Sequence, residues 1–239
     1  YHSPPDDMLE SVRLLCQQSL LGCINLPLMQ VCQVRWAARG LAKLLQLELD
    51  TSQVDSLVQD LPFDIVPQAI DWTAWYQEHI QKTVDSPESI VEEIVSLIPF
   101  QHDTITTRTG EEIEERRGTA WLTRDSSIGA LAYSGKLMPP QKLHAALHPI
   151  LDQAQASLPY TTDVDHFFDC LLCNHYPNGD AACRFHADPE HGSHWHCTSA
   201  VISAGTDRKF AFRRIDGDQV AWTHLFSGDM VVMRDKCNF

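Results

Sequence analysis

Apolar residues recur at three- and four-residue spacing up to about residue 97, and beyond it the texture changes to short runs broken by turns. Leu9, Val12, Cys16 and Leu20 predict a first helix, with Asp6 or Asp7 as its cap. A second is expected from near Asn25, with Pro27 in its first turn, through Val31, Val34, Ala38, Leu41 and Leu45. A shorter one covers 54–61, and another follows Pro67 through Trp72, Trp75, Tyr76 and Ile80. Ser86-Pro87-Glu88 has the cap, proline and acid order of a helix start, here ahead of 90–97. Trp72, Trp75 and Tyr76 read as core rather than as a binding stripe.

From Pro99 onward, strands are expected at 104–107, 131–133, 167–174, 199–203, 209–214 and 230–233, with glycine at the breaks. Residues 108–118 form a charged loop, and Pro139-Pro140 leads into a helix at 141–158. One helix amid many strands implies an α+β chain with a sandwich or jelly-roll core, preceded by a helical region. The expected division is 1–97, helical, and 98–239, the core.

A chain of 239 residues, 44% hydrophobic and 21% charged, suffices for one sizeable core and an appended subdomain. No apolar run approaches the roughly 20 residues of a membrane span, and no signal-peptide pattern opens the chain, so no membrane association is expected. The first residue, Tyr1, leads us to expect a piece of a longer protein. Net charge is -14, with 5 basic and 14 acidic residues before residue 96. That argues against general nucleic-acid affinity while leaving room for a local basic groove. The eight cysteines lack the even, dense spacing of a secreted scaffold, so free thiols and an intracellular location, nucleus or cytoplasm, are expected.

The densest group of ligand-type side chains runs from His186 and Asp188 through Glu190 and His191 to His194, His196 and Cys197. On a strand, residues two apart share a side, so His186 and Asp188 can converge on one metal ion. An imidazole and a carboxylate are two-thirds of the facial triad that leaves Fe(II) positions open. A zinc module built from His186, His191, His194, His196 and Cys197 is the competing assignment.

Further motifs flank the pair: Asn174-His175-Tyr176 upstream, then 203–214 (SAGTDRKFAFRR) and 226–233 (FSGDMVVM) downstream. This ordered set, over about residues 97–239, resembles the AlkB-type 2-oxoglutarate/Fe(II)-dependent dioxygenases. Upstream, Arg116-Arg117, Trp121 and Tyr133-Ser134-Gly135 look like the substrate-gripping lid of the DNA-repair members. The resemblance implies a double-stranded β-helix (jelly-roll) core that uses Fe(II), 2-oxoglutarate and O2. It implies His186 and Asp188 as iron ligands and catalytic residues, with Asn174 and Tyr176 on the 2-oxoglutarate. Glu190, Trp121, Tyr133, Ser134 and Arg116 would contact substrate, although Glu190 can equally be an exposed acid without a role. Arg208 and Arg214 read as solvated strand charges.

The family's second iron His and its 2-oxoglutarate-binding Arg follow the G-D strand, and both are expected beyond Phe239. His224, ahead of the Gly228-Asp229 turn, is a poor substitute by position. The implied reaction is oxidative demethylation of N-alkylated bases in DNA or RNA, releasing formaldehyde, succinate and CO2. A protein side chain is the alternative substrate, and a non-catalytic metal-binding or interaction protein is the alternative class. Basic pairs at Arg116-Arg117, Arg208-Lys209 and Arg213-Arg214 are candidates for contact with a phosphate backbone.

Overall fold

The computed structural model describes residues 4–239 except 27, 60, 81–85, 107–108, 134–135, 189–194, 219, 235–236 and 238–239. In chain order the elements begin with α1 (Asp6–Gly22), α2 (Leu28–Leu44), α3 (Ser52–Val58), β1 (Phe63–Val66), α4 (Trp72–Trp75) and α5 (Pro87–Leu97). Next come β2 (Thr104–Thr106), β3 (Glu112–Glu114), β4 (Gly118–Thr123), β5 (Leu131–Tyr133), β6 (Lys136–Met138) and β7 (Gln141–Lys142). The last are α6 (His148–Ala156), β8 (Cys170–His175), β9 (Ser199–Ile202), β10 (Arg208–Arg213), β11 (Val220–Leu225) and β12 (Met230–Met233). Among the described residues the strands form small sheets of two or three, none closed, and no helix is long and apolar enough to cross a membrane.

The chain divides into two compact units, one of Tyr1–Ile70 with His196–Phe239 and one of Asp71–Trp195. This differs from the boundary expected at 97/98. The reason is β1, a short strand hidden between two predicted helices, which pairs antiparallel with β12 and joins the first helices to the last strands.

In the discontinuous unit, β12 lies between β1 and β9, so Val231 faces Ile65 on one side and Val201 on the other. All four residues of β12 are buried, as suits a strand paired on both edges. Cys16 and Leu20 of α1 and Val31, Cys32 and Trp36 of α2 pack into the same core. Arg35 is buried with them and donates to Asp55 (2.6 Å) and Asp64 (2.8 Å). The hairpin β10–β11 adds Phe212, stacked on Phe63 at 4.0 Å between centroids. The turn into β12 is built by Gly228 and Asp229. Gly228 has φ +93, and a Cβ there would lie 2.5 Å from the Ile70 carbonyl oxygen, so only glycine fits. Asp229 accepts from the amides of Gln68 and Phe226, both at 2.9 Å.

In the continuous unit, Asp71 caps α4 by accepting from the Ala74 amide (2.9 Å), and a π-helical turn follows at Tyr76–Ile80. Trp72, Trp75 and Tyr76 are buried, as expected of core residues. Ser86 caps α5, also as expected. β4 is buried throughout, parallel to β7 and antiparallel to β8. Two expectations are corrected. The 108–118 run contains a strand, β3, whose carbonyls and amides pair with β2. The predicted 141–158 helix starts only at His148, because Gln141 and Lys142 pair with Leu122 and Thr123 and extend the sheet.

Candidate metal and substrate site

The His186–Asp188 pair lies on irregular chain beyond β8 rather than on the expected strand. The two side chains nevertheless converge, with His186 Nε2 3.3 Å from Asp188 Oδ1. His186 Nδ1 lies 2.8 Å from the Arg184 carbonyl oxygen, to which it donates. This leaves Nε2 facing the carboxylate, where its proton is donated to Asp188 and would have to leave before that nitrogen could bind a metal. Hydrogen bonding to Asp188, with help from Cys183, raises the imidazole pKa to about 10. Burial pushes the Cys183 thiol up, but its contact with His186 and the charge of Arg117 outweigh this and bring it to about 7.

A line of contacts leads from this pair into the core of the unit. The Tyr133 ring meets the His186 ring edge-on, 6.3 Å between centroids, and its hydroxyl lies 3.9 Å from Cys183 Sγ. Arg117 Nη1 donates to that hydroxyl (3.1 Å), and its guanidinium carbon lies 5.1 Å from the ring centroid. Burial opposes the charge on Arg117, yet Tyr133, Cys183 and Tyr176 around it more than restore it, so its pKa rises. Arg117 Nε donates to Glu115 (3.2 Å), whose other oxygen accepts from Lys136 Nζ (2.5 Å). Lys136 also donates to Asp103 (2.6 Å) and to Thr119 Oγ1 (2.8 Å). The Glu115 side chain is only 4% exposed.

Of the residues singled out in the sequence, His186, Asp188, Tyr133 and Tyr176 come together through these contacts. Asn174 stands on β8 opposite Thr119, its Oδ1 buried and unpaired among the described residues. Trp121 is buried on β4, its indole N–H donating to the Gly129 carbonyl (3.0 Å) and its ring set edge-on to Trp195 at 5.4 Å. Trp121, Leu131, Tyr133 and Met138 form one apolar cluster. Arg116 is exposed, whereas its neighbour Arg117 is buried. Ser134, Glu190, His191 and His194 lie outside the described residues.

His224 is engaged by Asp207 at 2.9 Å, His196 Nδ1 accepts from the Thr198 amide (3.0 Å), and Arg214 pairs with Asp216. Among the described residues no three His, Cys, Asp or Glu side chains are grouped to hold a metal. The sequence did not single out Glu115, Lys136 or Cys183, and of the arginine pair it is Arg117 that joins these contacts while Arg116 is exposed. Glu115 and Arg117 lie on the bent link just before β4, so no strand or helix period in the sequence marks them as a pair. Neither a scan against protein-family models nor a search of curated proteins finds a match for this chain.

Proposed function

We propose that this chain belongs to an Fe(II)/2-oxoglutarate-dependent dioxygenase of the AlkB type, with a double-stranded β-helix core, acting on N-alkylated bases of DNA or RNA. The observation that carries this reading is the convergence of His186 and Asp188, an imidazole Nε2 and a carboxylate 3.3 Å apart. This donor set fits Fe(II), which takes nitrogen and carboxylate ligands together. The unpaired, buried Asn174 Oδ1 adds a polar group in want of a partner. Amide oxygen and nitrogen exchange by a half-turn of the side chain, so Asn174 can offer a donor to a 2-oxoglutarate carboxylate.

In this reading His186 and Asp188 supply two ligands of a facial triad, and a further imidazole is required to complete it. Iron, with O2 as oxidant and 2-oxoglutarate as the co-substrate oxidised to succinate and CO2, would supply the chemistry for attack on an N-alkyl C–H bond. The protein's own residues bind and orient. Asn174 and Tyr176 would hold the co-substrate and Glu190 would read the base edge, whereas Tyr133 and Trp121, 7% and 4% exposed, back the site instead of offering stacking surface.

The test is succinate release from 2-oxoglutarate by the full-length natural protein supplied with Fe(II). His186→Ala and Asp188→Ala should each abolish it, and undiminished release in either variant would sink the metal assignment. Glu190→Ala should depress base oxidation more than uncoupled turnover; equal loss in both removes its base-reading role. Turnover stimulated by a peptide and by no methylated oligonucleotide would transfer the chemistry to a protein side chain.

A further inference from the structure

The hairpin β10–β11 alternates strictly between two faces. Phe210, Phe212 and Leu225 go into the core of their unit. The other parity places Lys209, Ala211 and Arg213 opposite His224, Trp222 and Val220 on the outward face. Trp222 is 41% exposed there, with the Lys209 ammonium 4.1 Å from its ring centroid and the His224 ring 5.7 Å away. Val220 and, in the turn, Ile215 are exposed beside it.

Charge is distributed unusually as well. Strands β10 and β11 hold three basic residues and no acidic one, in a chain with 18 basic and 32 acidic residues. Of the acids flanking the hairpin, Asp207 is engaged by His224 (2.9 Å) and Asp216 by Arg214 (2.7 Å), while Asp218 is exposed in the turn and Arg208 and Arg213 already have contacts within the protein. A partly exposed indole with an ammonium over its ring matches the two surfaces of an unpaired nucleotide, a flat base and an anionic phosphate.

We propose that this outward face is a stacking platform for single-stranded nucleic acid. One unpaired base stacks on Trp222, displacing the Lys209 ammonium from the ring toward a phosphate, and Arg213 meets a second phosphate. The net charge of -14 repels nucleic acid at long range, so affinity rests on stacking and on these few cations. The platform lies in the discontinuous unit, whereas His186 and Asp188 lie in the continuous one, so it stands independently of the iron reading.

Fluorescence anisotropy of a labelled 15-mer oligothymidylate, at low salt and with the full chain, tests it. Single strand should bind more tightly than a duplex of equal length. Trp222→Ala should weaken binding about tenfold or more, the effect of losing one stacked base, while Trp222→Phe retains most of it. Replacing Lys209 and Arg213 by glutamine should lower the salt slope by about 1.4, from 0.7 per phosphate on a single strand. Trp222 is exposed, so its variants should keep their fold, and circular dichroism of each variant checks this. His186→Ala should bind like the parent, so loss of oxygenase activity with retained oligonucleotide binding separates the two readings. The platform is overturned by absent binding in the parent, by unchanged affinity in Trp222→Ala, or by equal affinity for duplex. Preferential binding of polyglutamate would overturn it in favour of an acidic protein segment.

Discussion

Each compact unit contains a buried ion network, and the two are wired differently. In the discontinuous unit Asp64 accepts from Arg35 (2.8 Å), from the Ile65 amide (2.8 Å) and from the Trp36 indole (3.4 Å), and Arg35 returns to Asp55. Every one of these contacts ends on a helix or strand of the core, so the network closes on itself. In the continuous unit Lys136, Glu115 and Arg117 form a similar series, but it ends on the hydroxyl of Tyr133, beside Cys183 and His186. The chemistry of the two is alike. What differs is that one terminus meets groups able to do more than hold the fold, and a network with such a terminus transmits its geometry to them.

If the two networks carry equal structural weight, removing the acid at the centre of each should cost about the same. Glu115→Ala and Asp64→Ala should each lose about 3–5 kcal/mol, because each takes a carboxylate partner from a buried arginine, Arg117 or Arg35. Hydrogen exchange reads this unit by unit, on β4 amides for the first and β1 amides for the second. Unchanged protection in either variant would break the parallel.

Isosteric variants sharpen the contrast. On the dioxygenase reading, Glu115→Gln should reduce 2-oxoglutarate turnover about tenfold or more by loosening Arg117 and Tyr133, whereas Asp64→Asn leaves it near the parent value. Equal effects on turnover would make both networks merely structural. Tyr133→Phe removes the hydroxyl at the open end and should cost about 1 kcal/mol of stability in urea unfolding.

The smallest effect belongs to Asp55, at the exposed edge of the closed network. Burial raises its pKa, but the Thr51 hydroxyl and Arg35 outweigh that and hold it below the ordinary carboxylate range. Its contribution is therefore present above that range and disappears as pH falls through and below about 4. Asp55→Asn should lose less than about 1 kcal/mol at neutral pH. Thermal melts of parent and variant should converge at acid pH, and a gap that widens there would reverse the sign.

Periodicity made α1 and α2 legible and the Ser86 cap made α5 legible, whereas the cap expected at Asp6 or Asp7 was misplaced, since both lie inside α1 and Pro5 precedes it. β1 was not legible. Residues 63–66 are four residues between prolines at 62 and 67, and their strand character comes from β12, far along the chain. β3 was hidden by its charge, since Glu112 and Glu114 read as loop until their backbone is seen to pair with Thr106 and Thr104. At the candidate site, residue type revealed His186 and Asp188, whose side chains meet although their backbone is not a strand. The arginine was ambiguous because Arg116 and Arg117 are chemically identical. Only burial, set by entry into β4, distinguishes them.

The pairing of β1 with β12 also has a consequence for synthesis on the ribosome. At about 5–20 residues per second, β12 emerges roughly 10–30 s after β1. The continuous unit, Asp71–Trp195, is complete by then and can fold as a nascent domain, whereas α1, α2 and α3 must wait for the sheet against which their apolar sides pack. Biogenesis thus runs from the middle of the chain outward. The early helices spend that interval exposed, and they are where a ribosome-associated chaperone would engage the growing polypeptide.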